Sequence, residues 1–149
     1  MALRKESLCF GTQAGRIRVV DLQSGAKVGE YFVGSHRPSP IHLLTFNEAG
    51  DVLVAGDLHG GLYAWKAHFP GSWGYSCHPH FHFGETRAAR AHEKAVSGLM
   101  ISGEMVISSS IDGSLTFWNL KDREEGTVFP ESSMSFLGVP LCLCGTAQE

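Results

Sequence analysis

No apolar run in the 149 residues reaches the roughly 18 needed to cross a bilayer as a helix. No apolar signal region follows MALRKES. Membrane spanning and export are therefore not expected, which leaves the cytoplasm or nucleus. Cysteine is scarce, and the irregular spacing of Cys9, Cys77, Cys142 and Cys144 makes no disulfide framework, so free thiols are expected. A basic excess is also missing. Twelve Lys+Arg against 15 Asp+Glu leave a formal charge of -3, without the electrostatic footprint of a nucleic-acid binder. Nor does any segment carry a convincing amphipathic stripe at helical spacing.

What is present is a three-fold echo. QAGRIRVVDL at 13–22, LHGGLYAWKA at 58–67 and IDGSLTFWNL at 111–120 each set a glycine five residues before a key position: Gly15 before Val20, Gly60 before Trp65, Gly113 before Trp118. Inside the copies, Ile17 and Val19 alternate with Arg16 and Arg18, and Leu115 and Phe117 with Ser114 and Thr116. Period two is the pattern of half-buried strands, and the turn signals QAG, QSG, NEAG, HGG and IDGS bound them. Val20 to Trp65 is 45 residues and Trp65 to Trp118 is 53, close to the roughly 40–45 residues of a four-stranded propeller blade, with an insertion in the second copy. The expected fold is all-β: a partial β-propeller of about three four-stranded antiparallel blades. Propellers have about 4–8 blades, and this chain supplies about three and a half, so the ring is not closed.

In this layout the first blade has strands at 7–12, 16–22 and 27–33 and lacks an inner strand, MALRK being too short to supply one. The second has strands at 41–46, 52–57, 61–67 and 79–84, and the third at 95–101, 105–110, 114–120 and 126–130. A propeller segment thus covers 1–130, with repeats at about 7–33, 34–84 and 91–130. The tail, 131–149, contains SFLGVPLCLCG, interrupted by Pro140. It reads either as a partial strand or as a disordered end. Residues 67–79, rich in Gly, Pro and aromatics, read as a long loop.

The third copy, AHEKAVSGLMISGEMVISSSIDGSLTFWNL, resembles the WD-repeat family. Ala91-His92 stands at that family's Gly-His pair, Ser108 at its strand Ser/Thr, Asp112 in its tight turn and Trp118-Asn119 at its Trp-Asp pair. The second copy keeps Ser35-His36 and Trp65-Lys66 but has Ala55 and His59 where Ser and Asp belong; the first keeps Val20-Asp21. A related, kelch-like propeller is the alternative family. The resemblance implies that His92, Ser108, Asp112 and Trp118 form a structural hydrogen-bond network. Their chemistry suits it, because a buried indole N–H needs an acceptor, a hydroxyl both accepts and donates, and a neutral imidazole relays to a carboxylate. A hydrolytic triad of Ser108, His92 and Asp112 would also need an exposed Oγ and an oxyanion site.

Two other motifs carry potential chemistry. VAGDLHGG at 54–61 resembles the first metal-binding motif of metallophosphoesterases, in which Asp57 and His59 would be ligands. A two-metal centre needs further Asp, Asn and His ligands, and the later motifs of that family are absent, so the favoured reading is a strand–turn–strand corner. CHPHFHF places Cys77, His78, His80 and His82 together, with His80 and His82 on one face of a strand. Their spacing matches no specific zinc motif. No metal or other cofactor is expected.

The function that follows is a non-enzymatic scaffold that binds other proteins through its rim loops, with open blade edges as candidates for self-association. The candidate partner-binding residues are Trp73, Arg87 and Arg90, since Trp and Arg dominate interface energetics and all three fall in expected loops. A phosphoesterase built on Asp57 and His59 is the alternative, and a truncated product of a larger propeller protein is a third reading.

Overall fold

The structure, a computed structural model, describes residues 2–4, 6–33, 39–66, 79, 81–84, 90–121, 126–138 and 143. Among these the chain is all-β. Its strands are β1 (Ala2–Arg4), β2 (Ser7–Gly11), β3 (Arg16–Asp21), β4 (Lys27–Phe32), β5 (Ile41–Phe46), β6 (Val52–Asp57), β7 (Leu62–Lys66), β8 (Phe81–Phe83), β9 (Val96–Ser102), β10 (Met105–Ser110), β11 (Ser114–Asn119), β12 (Gly126–Val128) and β13 (Pro130–Ser135). They form three sheets, ordered β1-β2-β3-β4, β12-β8-β7-β6-β5 and β13-β11-β10-β9.

The sheets are stacked in chain order, and the sequence pattern of each reflects how many of its faces are covered. In β3 the arginines are exposed while Ile17 and Val19 are buried, as expected where one face meets solvent. In β6, five of six residues are buried, because Leu53 and Ala55 pack toward the first sheet and Val54 toward the third. One apolar cluster joins Cys9, Ile17, Val19 and Tyr31 to Trp65. The other joins Val54, Phe81 and Phe83 to Val106, Trp118 and Val128. The middle sheet is therefore a core element on both sides.

The echoed glycines are the joints. Gly60 has φ +88°, and a Cβ there would lie 2.1 Å from the His92 carbonyl oxygen, backbone that cannot yield. Its own carbonyl accepts from the His92 amide at 2.9 Å, fixing the chain as it enters the third sheet. Gly113 accepts from Phe136 N at 2.8 Å and Gly15 from Val33 N at 3.4 Å, each holding the chain just after the outer strand of its own sheet. Farther in, Ile41 crowds onto Gly11 and Val96 onto Gly56, where a side chain would collide.

Three expectations are corrected. The first sheet does have an inner strand: Ala2, Leu3 and Arg4 pair with Cys9, Leu8 and Ser7, since a tight hairpin needs only a short strand beside an existing one. The expected strand 126–130 is two strands on two sheets. Gly126–Val128 pairs in parallel with β8, drawn there by the fully buried Val128, whereas Pro130–Ser135 pairs with β11. The outer strand of the third sheet thus crosses the expected boundary at 130, and 131–135 is strand, one of the two readings of the tail. In place of three four-stranded antiparallel units there are two such sheets flanking a five-stranded mixed one.

Candidate functional site

The third sheet brings His92, Ser108, Asp112 and Trp118 together. Val106 lies opposite Trp118 in the β10–β11 pairing, so Ser108, two residues on, shares its face one step along. Trp118 Nε1 donates to Ser108 Oγ at 2.9 Å, and His92 Nε2 lies 2.7 Å from the same oxygen. On the other side of the ring, His92 Nδ1 lies 2.7 Å from Ser114 Oγ, which donates to Asp112 Oδ1.

Proton bookkeeping fixes the direction of this chain. Ser114 has one hydroxyl proton and gives it to Asp112, so His92 must be the donor at Nδ1; the neutral ring then accepts at Nε2 from Ser108. The wiring runs Trp118 to Ser108 to His92 to Ser114 to Asp112. Ser114 is the member that sequence reasoning missed. Asp112 Oδ2 and His92 Nδ1 are 3.9 Å apart, and the serine bridges them. The signal was available in Asp112-Gly113-Ser114, a turn in which the Ser114 amide also bonds Asp112 Oδ1 at 2.8 Å.

Burial pushes the His92 imidazole below its ordinary value of 6.5, outweighing the upward pull of Asp112. For Asp112 burial acts upward, but hydrogen bonds from the Ser114 hydroxyl and amide and the Glu93 amide, together with His92, prevail and lower it. A neutral imidazole facing a carboxylate through a hydroxyl is the state this geometry stabilises. Ser108 has no exposed surface, unlike the accessible Oγ that a hydrolytic triad needs.

Asp57 and His59 sit on the equivalent turn of the second sheet. Asp57 is buried, and its Oδ1 accepts from the His59 and Gly61 amides, both at 2.8 Å, while Oδ2 accepts from the Tyr63 hydroxyl at 3.2 Å. Burial, then the Asp57 carboxylate, pushes the Tyr63 phenol up. His59 Nδ1 turns to the buried Ser39 Oγ at 2.6 Å. Both side chains thus brace the corner. Of the histidine-rich run, His82 is half-buried in β8 and meets the Tyr63 ring edge-on at 6.3 Å. Cys77, His78 and His80 lie outside the described residues, as do Trp73, Arg87, Ser35 and His36.

Arg90 is described, and it is exposed. Its guanidinium donates to the His59 carbonyl at 3.2 Å, tying the second sheet's turn to the segment that leads into the third. From there opens a cleft of about 620 Å³, walled by Arg90, Glu93, Asp112, Ser114, Ser133 and Ser135. The network's polar end is therefore also the floor of an open, charged and hydroxyl-rich cleft.

No protein-family model matches the chain, and no curated protein matches it. The solved structures that it resembles include two computationally designed proteins. The crystal structure of Ika4 is 18% identical with a TM-score of 0.72, covering 98% of this chain and 78% of that one. That of Ika8 is 17% identical with a TM-score of 0.71, covering 98% of this chain. This chain spans 40% of the Ika8 chain. At such identities the likeness establishes a shared fold alone.

Proposed function

We propose that the chain is a WD-repeat-like β-propeller segment that acts as a non-enzymatic platform for other proteins, engaging them at its rim. The observation that carries this reading is the cleft beside Arg90. The Ser, His and Asp side chains that look catalytic in the sequence are engaged in hydrogen bonds to one another and to their turns, and charge and hydroxyls, Asp112 and Ser114 among them, converge at that cleft. The repeated glycine turn supports the propeller reading, because in each copy its carbonyl holds the chain that follows the fourth strand. An interface centred on Arg fits the energetics of protein recognition.

Affinity capture with the whole chain tests this. Arg90→Ala, alone and with Trp73→Ala and Arg87→Ala, is expected to remove bound protein while circular dichroism stays unchanged. Retention of every partner by the triple variant overturns the assignment to these positions. Hydrolysis of a phosphate monoester that vanishes in Asp57→Asn overturns the non-enzymatic reading.

A further inference from the structure

Val106 and Trp118 turn toward the second sheet, so on the far face of the third sheet stand Ile107 and Ser109 of β10, Leu115 and Phe117 of β11, and Gly98 and Met100 of β9. No described strand covers this face. Its four large apolar side chains are nonetheless half-buried, and Ser109 has no exposed surface. The described residue that reaches it is Leu143: a Cβ on Gly98 would lie 2.6 Å from Ser109 Oγ, 2.8 Å from Leu143 Cγ and 3.0 Å from Leu143 N. The chain itself, not only a side chain, therefore passes over Gly98. The outward face of the first sheet is built otherwise, with Arg16 and Arg18 exposed and ion-paired to Glu30. Charge finishes that end of the stack, whereas an apolar face needs a cover.

We propose that the far face of the third sheet is a docking surface for this chain's own segment around Leu143, which lies extended across it where the innermost strand of a following sheet would lie. The first two sheets supply the pattern. Leu8, Leu53 and Val106 pair with Val20, Trp65 and Trp118, and three residues beyond them stand Gly11, Gly56 and Ser109. Ile41 presses on Gly11 and Val96 on Gly56, each opening the innermost strand of the next sheet. Leu143 reaches Gly98, the residue paired with Ser109. In sequence, Leu141 and Leu143 alternate with Cys142 and Cys144, so an extended chain turns both leucines to one side, and Pro140 precedes Leu141 as Pro40 precedes Ile41. The reach suffices within one chain. Leu143 follows Phe136 by seven residues, a span of up to about 23 Å, and the three strand spacings from β13 to β9 take about 14 Å. Val33 to Ile41 makes the corresponding passage in eight residues. The proposal rests on the stacking of the sheets and is independent of binding at the Arg90 cleft.

The test uses the full chain with Cys77, Cys142 and Cys144 replaced by Ser. On mild oxidation Ser109→Cys with Leu143→Cys is expected to form a disulfide within one chain. Ser102→Cys with Leu143→Cys, its first thiol at the exposed other end of β9, is expected to do so about tenfold more slowly, as a misplaced pair does. Equal rates for the two pairs overturn the proposal, and so does linking between chains in place of within them, which would make a second copy the occupant. If the cysteine variants do not fold, amide exchange of the unmodified chain decides it. Protection across 141–144 that is the same at every protein concentration supports the proposal; exchange there as fast as in an unfolded peptide, or protection that appears only as concentration rises, overturns it.

Discussion

Trp65 and Trp118 hold the same place in successive sheets, yet only one of them is wired. Each lies opposite an aliphatic residue on the neighbouring strand, Leu53 and Val106, and each is about 1% exposed. Two residues beyond that partner stands Ala55 in the second sheet and Ser108 in the third. The consequence is atomic: Trp118 Nε1 finds a hydroxyl, while Trp65 Nε1 has no hydrogen-bond partner among the described residues. A buried unpaired N–H costs about 1–3 kcal/mol. The second sheet meets this with aromatic packing, Tyr31 and Tyr63 lying 5.5 and 6.5 Å from Trp65. Shape alone can hold the position; the polar network is an added constraint on the third sheet.

Substitution of the third-sheet pair should break this comparison most visibly. Trp118→Ala is expected to lose about 3–5 kcal/mol as a buried aromatic truncation. Ser108→Ala orphans both the Trp118 N–H and the acceptor nitrogen of His92, so a loss of about 2–3 kcal/mol is expected, within the range for stranded buried groups. Chemical denaturation of these variants beside Trp65→Phe and Trp118→Phe sharpens the point. Removing the indole N–H should cost more at Trp118 than at Trp65 by about 0.5–1.5 kcal/mol, one net hydrogen bond. Equal costs would mean that the network contributes no stability.

The two sheets should also differ in acid. The folded His92 titrates below the unfolded value of 6.5, so between those values the unfolded chain binds more protons. Its contribution to stability is full above 6.5 and declines as pH falls toward the lowered folded value. Asp112, also lowered, adds a second decline at pH values below 3.8. Thermal melts between pH 7.5 and 5 should fall, and the fall should be shallower in His92→Gln, which cannot take up the proton. An unchanged slope in that variant would assign the acid sensitivity elsewhere.

How much of this was legible depended on whether the information was local. Ile41–Phe46, Val52–Asp57 and Met105–Ser110 fall where alternation and flanking glycines set them, because period and turn chemistry are encoded within a few residues. Ala2–Arg4 is too short to show a period. Pro130–Ser135 reads PESSMS, with no apolar alternation, since its whole length is exposed. That Gly126–Val128 takes a parallel place beside β8 is a tertiary choice, made by the apolar cluster that Val128 joins. Within the site, the members His92, Ser108, Asp112 and Trp118 were expected through the resemblance to WD repeats, whereas the Ser114 bridge and the Ser39 and Tyr63 braces were not expected at all. The strand–turn–strand corner favoured for Asp57 and His59 is where they stand, and Gly-Asp-x-His-Gly resembles a metal motif because the same residue types can brace a turn.

The smallest expected effect tests the comparison in the opposite direction. Ala55→Ser would place a hydroxyl in the second sheet where Ser108 stands in the third, on the face that Trp65 occupies. The indole N–H would gain an acceptor, worth about 0.5–1.5 kcal/mol net. Against this, Ala55 is fully buried, and the new hydroxyl proton needs its own acceptor, the service that His92 performs for Ser108. The gain should therefore sit at the low end, read as a melting temperature raised by about a degree or two. A clear loss would show that the second sheet has packed itself around an alanine, so that its unwired tryptophan is a settled alternative to the network. A gain would show that the same backbone register still accommodates the wiring found one sheet along.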